Sequence, residues 1–343
     1  MTEISRNTAG YGKAQEAAVK SLSKLATALQ APLSHSFKYR LVSQAQAASV
    51  EREYFDWVRS GKVGAAPTVD PASERSAIYN QAAAAKQLDA FLHVSRVVAF
   101  ELCEASIQGF EGEEVTVPFM MLRSLVERIA HVAALAEALK PLAQTLPSPA
   151  KPNEPLLDVG DKIGKALYGT KVDWLKLGTV DLRAASKEDI AYFKERLTMD
   201  VTARSVLSTI DKLDKRVPGV RIAYDVLCEF LHPNVGDLYA TTVRASSQMD
   251  IHGTRHLIRE IGLGPKDLST TPDLAQILSQ VLSICSDSFD VLPLAFDDLH
   301  MASRAANKMA RKFAHRVRRR HRPYFQKDDL CPCLSGFRVG DCR

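Results

Sequence analysis

Hydrophobic residues recur every three or four positions along most of the chain, which is the spacing of a helix face. The best-patterned helix opens at Pro118, and its apolar positions are Leu122, Leu125, Val126, Ile129, Ala133, Ala136 and Leu139. Further helices are predicted over 11–29, 37–59, 71–107, 161–168, 187–213 and 218–231, and from 272 onward with a kink at Pro293. The pattern therefore predicts an all-α, multi-helix bundle.

Proline and glycine runs divide this helical pattern. Residues 61–67 are a helix breaker, and residues 141–155 hold five prolines in fifteen positions, which is typical of a linker or an extended loop. Asp70 and Pro71 mark a helix start, with Asp70 as the N-cap. Residues 237–248 are rich in Thr, Val, Tyr and Ser and predict a short hairpin or an extended loop. We expect an N-terminal helical region (1–66), a helical body (67–300), a basic helix (301–323) and a C-terminal knuckle (324–343).

The positive charge of the chain is concentrated in one segment. The 343 residues carry a net charge of +5, but residues 304–322 alone contain nine Lys/Arg and no Asp/Glu, so the rest of the chain has a net charge of −4. Clustered Lys and Arg neutralise phosphates, so we expect this segment to contact nucleic acid, ribosomal RNA included. The alternatives are a solvated helix face and a segment that pairs with the acidic body. The predicted nucleic-acid-binding residues are Arg311, Lys312, Arg316, Arg318, Arg319, Arg320 and Arg322.

Three of the six cysteines crowd the last thirteen residues. Cys331 and Cys333 form a CxC pair that can place two thiolates on one ion, and a Ser-Gly turn follows that can return the chain toward Cys342. Thiolates at this density suit tetrahedral zinc, so we expect zinc as the metal and these three cysteines as its ligands. A segment this small would owe much of its fold to the metal.

This ending resembles the SEC-C motif, named for the C-terminus of the preprotein translocase ATPase. In that motif Cys-Pro-Cys-Gly-Ser-Gly precedes a basic-aromatic stretch and then Cys followed by Cys or His. Eight residues separate Cys333 from Cys342, as in the motif, but Leu334 replaces a glycine and Arg343 stands at the fourth ligand position. Arginine stays protonated and cannot ligate a cation, which leaves the terminal carboxylate, His321 or a water as the fourth ligand. The matching residues are Cys331, Pro332, Cys333, Ser335, Gly336 and Cys342.

Two predicted helices of the body carry charged residues on one face. The stripes are Arg123, Glu127 and His131 on the first helix, and Arg221, Asp225, Glu229 and His232 on the second. At this spacing the two stripes can meet across a helix pair through ion pairs and hydrogen bonds. A purely structural network is the alternative to a functional site.

The segments 122–127 and 224–234 resemble a family of HEPN-like bacterial helical proteins, over a region of about 85–260. The resemblance implies a helical bundle, and many members of that family are RNases of defence or toxin–antitoxin systems. Their signature is Arg, four to six residues, then His, in which His serves as general base and Arg stabilises phosphate charge. The helical body lacks this spacing, and only Arg316 and His321 in the basic segment fit it. In an enzyme of this type the site would be lined by Arg123, Glu127, Arg221, Glu229 and His232.

We therefore expect a cytoplasmic metal-binding interaction protein whose basic tail, 304–343, docks on nucleic acid, the ribosome or a partner protein. The alternatives are the HEPN-type RNase and a helical di-metal enzyme, for which Glu229 and His232 form an incomplete ligand set. The first residues show no apolar signal segment, and no apolar run reaches the ~18 residues of a membrane span. No phosphate-binding loop, nucleophile elbow or HExxH sequence is present.

Overall fold

A computed structural model describes residues 3–33, 37, 71–112, 114–144, 162–163, 166, 205–230, 242–261, 272–320, 327–328, 331 and 338–341. Most of these residues are helical, which confirms the mainly helical fold, and a small β-hairpin is added to it. The helices are α1 (Glu3–Gln30), α2 (Pro71–Glu111), α3 (Thr116–Gln144), α4 (Val206–Asp214), α5 (Val220–Glu229), α6 (Pro272–Phe289) and α7 (Val291–Arg320), with a 3-10 turn at Ala31–Leu33. The strands are β1 (Thr242–Met249) and β2 (Arg255–Ile261).

Residues 242–249 form one strand of a hairpin, so the segment 237–248 supplies a single strand and its partner lies further along the chain. Strand β1 pairs antiparallel with β2, from Thr242 opposite Ile261 to Met249 opposite Arg255. The Asp250 carboxylate closes the turn, because its Oδ1 accepts the backbone N–H groups of residues 252 and 254 at 2.8 Å each. The strands were not foreseen beyond residue 248, and residues 237–241 lie outside the described part.

Two helices keep their predicted starts more closely than their ends. Helix α2 begins at Pro71 as predicted, in the first helical position where a missing N–H costs nothing. Helix α3 begins at Thr116, so Pro118 lies in its first turn. The same helix continues through Pro141 to Gln144, so the loop predicted for 141–155 does not begin at Pro141. The remainder of that loop lies outside the described residues.

The starts of α4 and α5 both differ from the predicted helix boundaries. Ser205 is extended, with ψ 123°, so α4 starts at Val206 and no helix runs continuously over 187–213. Helix α5 starts at Val220 rather than at Pro218, because Gly219 adopts a φ of 94° that L residues rarely adopt. Asp214 secures this turn, since its Oδ1 accepts the backbone N–H groups of Gly219 at 3.0 Å and residue 221 at 2.9 Å.

The last long helical region divides at Asp290. Helix α6 ends at Phe289 and α7 begins at Val291, so the chain breaks three residues before the kink predicted at Pro293. Pro293 lies in the first turn of α7, where its missing N–H breaks no helical hydrogen bond. The predicted elements over 37–59, 61–67 and 187–204, except for Phe37, lie outside the described residues, and so does the segment 232–234.

The chain forms two compact units, each built from three separate segments. Unit 1 comprises Met1–Ser36, Val94–Ala134 and Ser205–Phe296, and unit 2 comprises Phe37–His93, Leu135–Arg204 and Asp297–Arg343. The predicted division into consecutive regions is not tested by these units and stays a prediction.

Unit 1 is built on helix-to-helix packing. Helix α1 packs against α6, and α5 packs against both α4 and α6. Its aromatic core includes Phe119, whose ring meets Phe110 edge-on at 5.7 Å and stacks on Phe230 at 5.3 Å. Gly109 permits this approach of α2 and α3, because a Cβ atom there would lie 2.9 Å from the Pro118 ring. Every apolar position predicted for α3 up to residue 133 is buried here.

Unit 2 has its core on one face of α7. Four alanines spaced four residues apart are buried, together with Leu299 and Phe313. Small side chains at that spacing let a neighbouring helix come close along the whole face. The alanines are Ala302, Ala306, Ala310 and Ala314. The opposite face of α7 therefore carries the polar residues.

One stretch of the described residues, Asp273–His315, is long and apolar enough to cross a membrane by length and composition alone. Core helices of other folds meet the same criteria. Here Leu278, Leu282 and Leu292 are fully buried inside the protein.

Candidate nucleic-acid interface

The polar face of α7 borders a groove in unit 2. Positions along this face follow one another at intervals of three, four or one, which keeps them on one side of the helix. The groove has a volume of about 970 Å³, and helix α2 contributes Lys86 and Asp89 to it. The α7 side chains that line it are His300, Ser303, Arg304, Asn307, Lys308, Arg311, Lys312, His315 and Arg319.

The charge of this groove is strongly positive. Six Lys/Arg side chains line it against a single carboxylate, that of Asp89. Five of the cations are solvent-exposed and form what we call the basic rim: Arg304, Lys308, Arg311, Lys312 and Arg319. Like charges held this close on one helix repel one another, so an anion that sits among them relieves an existing repulsion.

The bottom of the groove is a hydrogen-bonded cluster of Asp89, Ser303 and Asn307, here called the polar floor. The Ser303 hydroxyl, which is 4% exposed, donates to Asp89 Oδ1. The Asn307 amide nitrogen donates to Asp89 Oδ2 at 3.2 Å and to the Ser303 carbonyl oxygen at 3.0 Å. Lys86 Nζ lies 3.6 Å from Asp89 Oδ2, so the carboxylate is neutralised within the cluster. The polar floor thereby ties α2 to α7.

Three of the seven predicted nucleic-acid-binding residues line the groove, namely Arg311, Lys312 and Arg319. The side chains of Arg316, Arg318 and Arg320 lie outside the described part of the chain, and so does all of Arg322. Sequence reasoning counted Arg304 and Lys308 in the basic run without singling them out. It missed Lys86 and Asp89 entirely, because nothing in the α2 sequence marks them as neighbours of α7.

A second polar cluster, in unit 1, joins α3 to α5. Arg123 Nη2 donates to Glu127 Oε1 at 2.8 Å and to Tyr224 Oη at 3.0 Å, and its Nε donates to Cys228 Sγ at 3.2 Å. The Tyr224 hydroxyl in turn donates to Glu127 Oε1 at 2.7 Å. The pKa of the Tyr224 hydroxyl is raised above its ordinary value, mainly by burial and to a smaller extent by this hydrogen bond to Glu127. We call these four residues the arginine–tyrosine network.

Among the described residues, Arg123 and Glu127 of the first stripe contact Tyr224 and Cys228, which do not belong to the stripe predicted on α5. Arg221 belongs to a separate cluster, with Nη1 2.7 Å from Asp211 Oδ1 and Nε 3.1 Å from Asp225 Oδ2. Hydrogen bonds to Asp211 and Asp225 raise the pKa of Arg221. Glu229 is exposed at the end of α5, and His232 lies outside the described residues. Of the four predicted catalytic residues that the structure describes, Arg123 and Glu127 are bonded to each other, whereas Arg221 belongs to the cluster with Asp211 and Asp225.

The C-terminal segment folds back on itself. The backbone N–H of Gly340 donates to the Lys327 carbonyl at 2.9 Å, and Arg338 Nη1 donates to the Asp328 carbonyl at 2.9 Å. Cys331, which lies between these two segments in the chain, is 4% exposed. Cys333 and Cys342 lie outside the described residues, within which no group of three His, Cys, Asp or Glu side chains converges. The zinc site therefore stays a prediction.

No protein-family model, curated protein or solved structure matches this chain.

Proposed function

We propose that this protein docks on nucleic acid by seating a phosphate backbone along the basic rim of α7. The observation that carries the proposal is the groove of about 970 Å³, lined by six Lys/Arg and one carboxylate that is already neutralised. Binding of a polyanion by such a surface releases counterions from the nucleic acid, and this release supplies most sequence-independent affinity.

The dimensions of the basic rim support a contact with several consecutive phosphates. Arg304 and Arg319 are fifteen residues apart on one helix. At about 1.5 Å per residue, they are separated by about 22 Å along the helix axis. One nucleic-acid strand carries a phosphate about every 3.4 Å of duplex axis, so the basic rim spans roughly six of them. A single phosphate or a small anion would engage only a fraction of this surface.

The C-terminal knuckle belongs to the same proposal. Zinc held by Cys331, Cys333 and Cys342 would fix the end of the chain beside the basic helix and add a rigid docking element. The burial of Cys331 and the hydrogen bonds that close 338–340 onto 327–328 support a compact knuckle. Metal content of the purified protein, compared with that of a Cys331→Ser/Cys333→Ser variant, tests this part. Equal zinc in both proteins would contradict it.

The docking proposal is tested by the salt dependence of binding to a fluorescent single strand of about 16 nucleotides. Each phosphate contact contributes about −0.7 to the slope of log K against log salt for single strands. Replacing Lys308 and Arg311 with alanine should therefore reduce the slope by about 1.4 and weaken binding. Both residues are exposed helical positions, where alanine is well tolerated.

A matched control removes the same number of positive charges elsewhere. Lys20 on α1 and Lys140 on α3 are also exposed helical lysines, and neither lines the groove. Lys20→Ala/Lys140→Ala should leave the slope unchanged. If both double variants lose the same affinity, or if neither does, the basic rim is not the binding surface. Gel analysis of the strand after incubation tests the RNase alternative, for which cleavage abolished by His232→Ala is the expected result.

A further inference from the structure

The polar floor of the groove offers hydrogen-bond acceptors and has used its own donors. An ionised carboxylate only accepts, and a serine hydroxyl has one proton to donate. Ser303 gives that proton to Asp89, so its oxygen can only accept further bonds. The Asn307 amide nitrogen is directed at Asp89 and at Ser303, which leaves its carbonyl oxygen without a donor among the described residues.

This arrangement specifies what can settle on the polar floor. The Lys86 ammonium lies 3.6 Å from Asp89 Oδ2 and is paired with that carboxylate. A phosphate oxygen placed beside Asn307 Oδ1 and Asp89 would meet hydrogen-bond acceptors and be repelled, whereas a group that carries an O–H or N–H would be held. The sugar-phosphate backbone of DNA has acceptors only, while RNA carries a 2′-hydroxyl, which is both donor and acceptor, on every sugar. The basic rim does not distinguish RNA from DNA, because its Lys and Arg side chains would contact phosphates, which both nucleic acids carry.

We propose that the groove distinguishes RNA from DNA by accepting a ribose 2′-hydroxyl proton at the polar floor. The receiving atoms are Asn307 Oδ1 and the carboxylate of Asp89. This inference rests on the proposed nucleic-acid docking and specifies the class of nucleic acid that the groove takes.

The order of residues on α7 supports this assignment. Ser303 and Asn307 alternate along the helix with Arg304, Lys308 and Arg311, so floor and rim run side by side. A strand whose phosphates follow the basic rim carries its sugars at the same repeat, within reach of the polar floor. Because the ribose is common to all nucleotides, the selectivity is for RNA as a class and not for a base sequence.

The decisive experiment compares three strands of identical sequence: RNA, DNA and 2′-O-methyl RNA. The methylated strand keeps the phosphates and the 2′ oxygen of RNA but has no 2′ proton to donate. The wild-type protein should bind RNA about five- to tenfold more tightly than either of the others, the effect expected of one net hydrogen bond. Binding is measured by fluorescence anisotropy at a fixed salt concentration, because phosphate contacts vary steeply with salt.

Two variants separate this role from a structural one. Asn307→Ala removes the carbonyl acceptor at a helical position that accepts alanine, and it should abolish the preference for RNA while DNA affinity stays within about twofold. Asp89→Asn turns part of the floor from acceptor to donor and should reduce the preference as well. A merely structural effect would weaken the binding of all three strands together, and circular dichroism shows whether each variant keeps its helices.

The outcomes separate this inference from the docking proposal. If no strand binds, the docking proposal fails and takes this one with it. If all three bind equally, and Lys308→Ala/Arg311→Ala weakens all three, docking stands and the ribose assignment is overturned. If 2′-O-methyl RNA binds as tightly as RNA, strand shape or the bases decide the preference, and the assignment is again overturned.

Discussion

Replacement of Tyr224 with phenylalanine tests whether the arginine–tyrosine network stabilises the packing of α3 against α5. The change removes one oxygen and keeps the ring, which also lies under the Arg123 guanidinium at 5.2 Å. The lost hydroxyl donates to Glu127 at 2.7 Å and accepts from Arg123 at 3.0 Å, so both partners are charged. No cavity of consequence forms, and the measured effect reports the hydrogen bonds themselves.

The expected size of the effect follows from those contacts. A hydrogen bond to a charged group contributes about 1.5–3 kcal/mol to stability. Two contacts are lost, but Arg123 and Glu127 are 24% and 26% exposed and keep their own 2.8 Å ion pair, so water and that pair compensate for much of the loss. We expect a decrease of about 1.5 kcal/mol in the free energy of unfolding, which is about tenfold in the unfolding equilibrium constant.

The assay is urea denaturation at pH 7, followed by circular dichroism, with Tyr11→Phe as the matched control. Tyr11 lies in the same unit and is 8% exposed, and no residue in the described part of the chain is hydrogen-bonded to its hydroxyl. The control should change the unfolding free energy by less than about 0.5 kcal/mol. If Tyr224→Phe is equally neutral, the network does not stabilise the helix pair, and the reasoning from its geometry is refuted.

Three further predictions concern backbone strain, thiol reactivity and alkaline stability. Gly219→Ala should lower the stability measured by thermal denaturation by about 1–2 kcal/mol, because φ is 94° and the Ile284 side chain lies 3.1 Å from the new Cβ. The control is Gly253→Ala, where φ is 76° and no atom lies within 4 Å, so this variant measures the backbone cost alone. An equal loss of stability in both variants would exclude a contribution from the contact with Ile284. Burial raises the pKa of the Cys103 and Cys285 thiols to about 12, so both should resist alkylation by iodoacetamide at pH 8 until urea unfolds the protein. Mass spectrometry measures the alkylation, and labelling of either cysteine in native buffer would contradict its burial. Burial likewise raises the pKa of Tyr11 from 10.0 to about 12, so the contribution of the neutral hydroxyl to stability is complete below pH 10 and is lost as pH rises through 12. Between pH 7 and pH 11, the free energy of unfolding measured in urea should therefore decrease less for Tyr11→Phe than for wild type. An equal decrease in both proteins would refute the raised pKa.

The α5 helix shows how far side-chain type misleads a prediction from sequence. Asp225 and Glu229 were predicted to face the α3 stripe because they are charged. The residues that contact Arg123 are instead Tyr224 and Cys228, each one position earlier in the chain. One residue is about 100° around a helix, so the interacting face differs from the charged one. Tyr and Cys fitted the apolar pattern and gave no sign that a hydroxyl and a thiol would bond across the helix pair.

The helices and the faces they bury follow from the order of amino acids alone. The seven apolar positions predicted between Leu122 and Leu139 are all buried, and the basic segment runs along a helix to Arg320. Helical hydrogen bonds join residues four apart, so this information is local and can be read from a short window of sequence.

Which helices share a site depends instead on packing between distant parts of the chain. Ser303 and Asp89 are 214 residues apart in the chain, and their meeting turns the solvated basic face of α7 into a groove with a polar floor. Which faces come together depends on how side-chain volumes pack across the whole unit, and no local pattern records that. The same holds for Arg123 and Tyr224, which are 101 residues apart. Local periodicity therefore predicts the elements of this protein, and packing between distant segments creates its candidate sites.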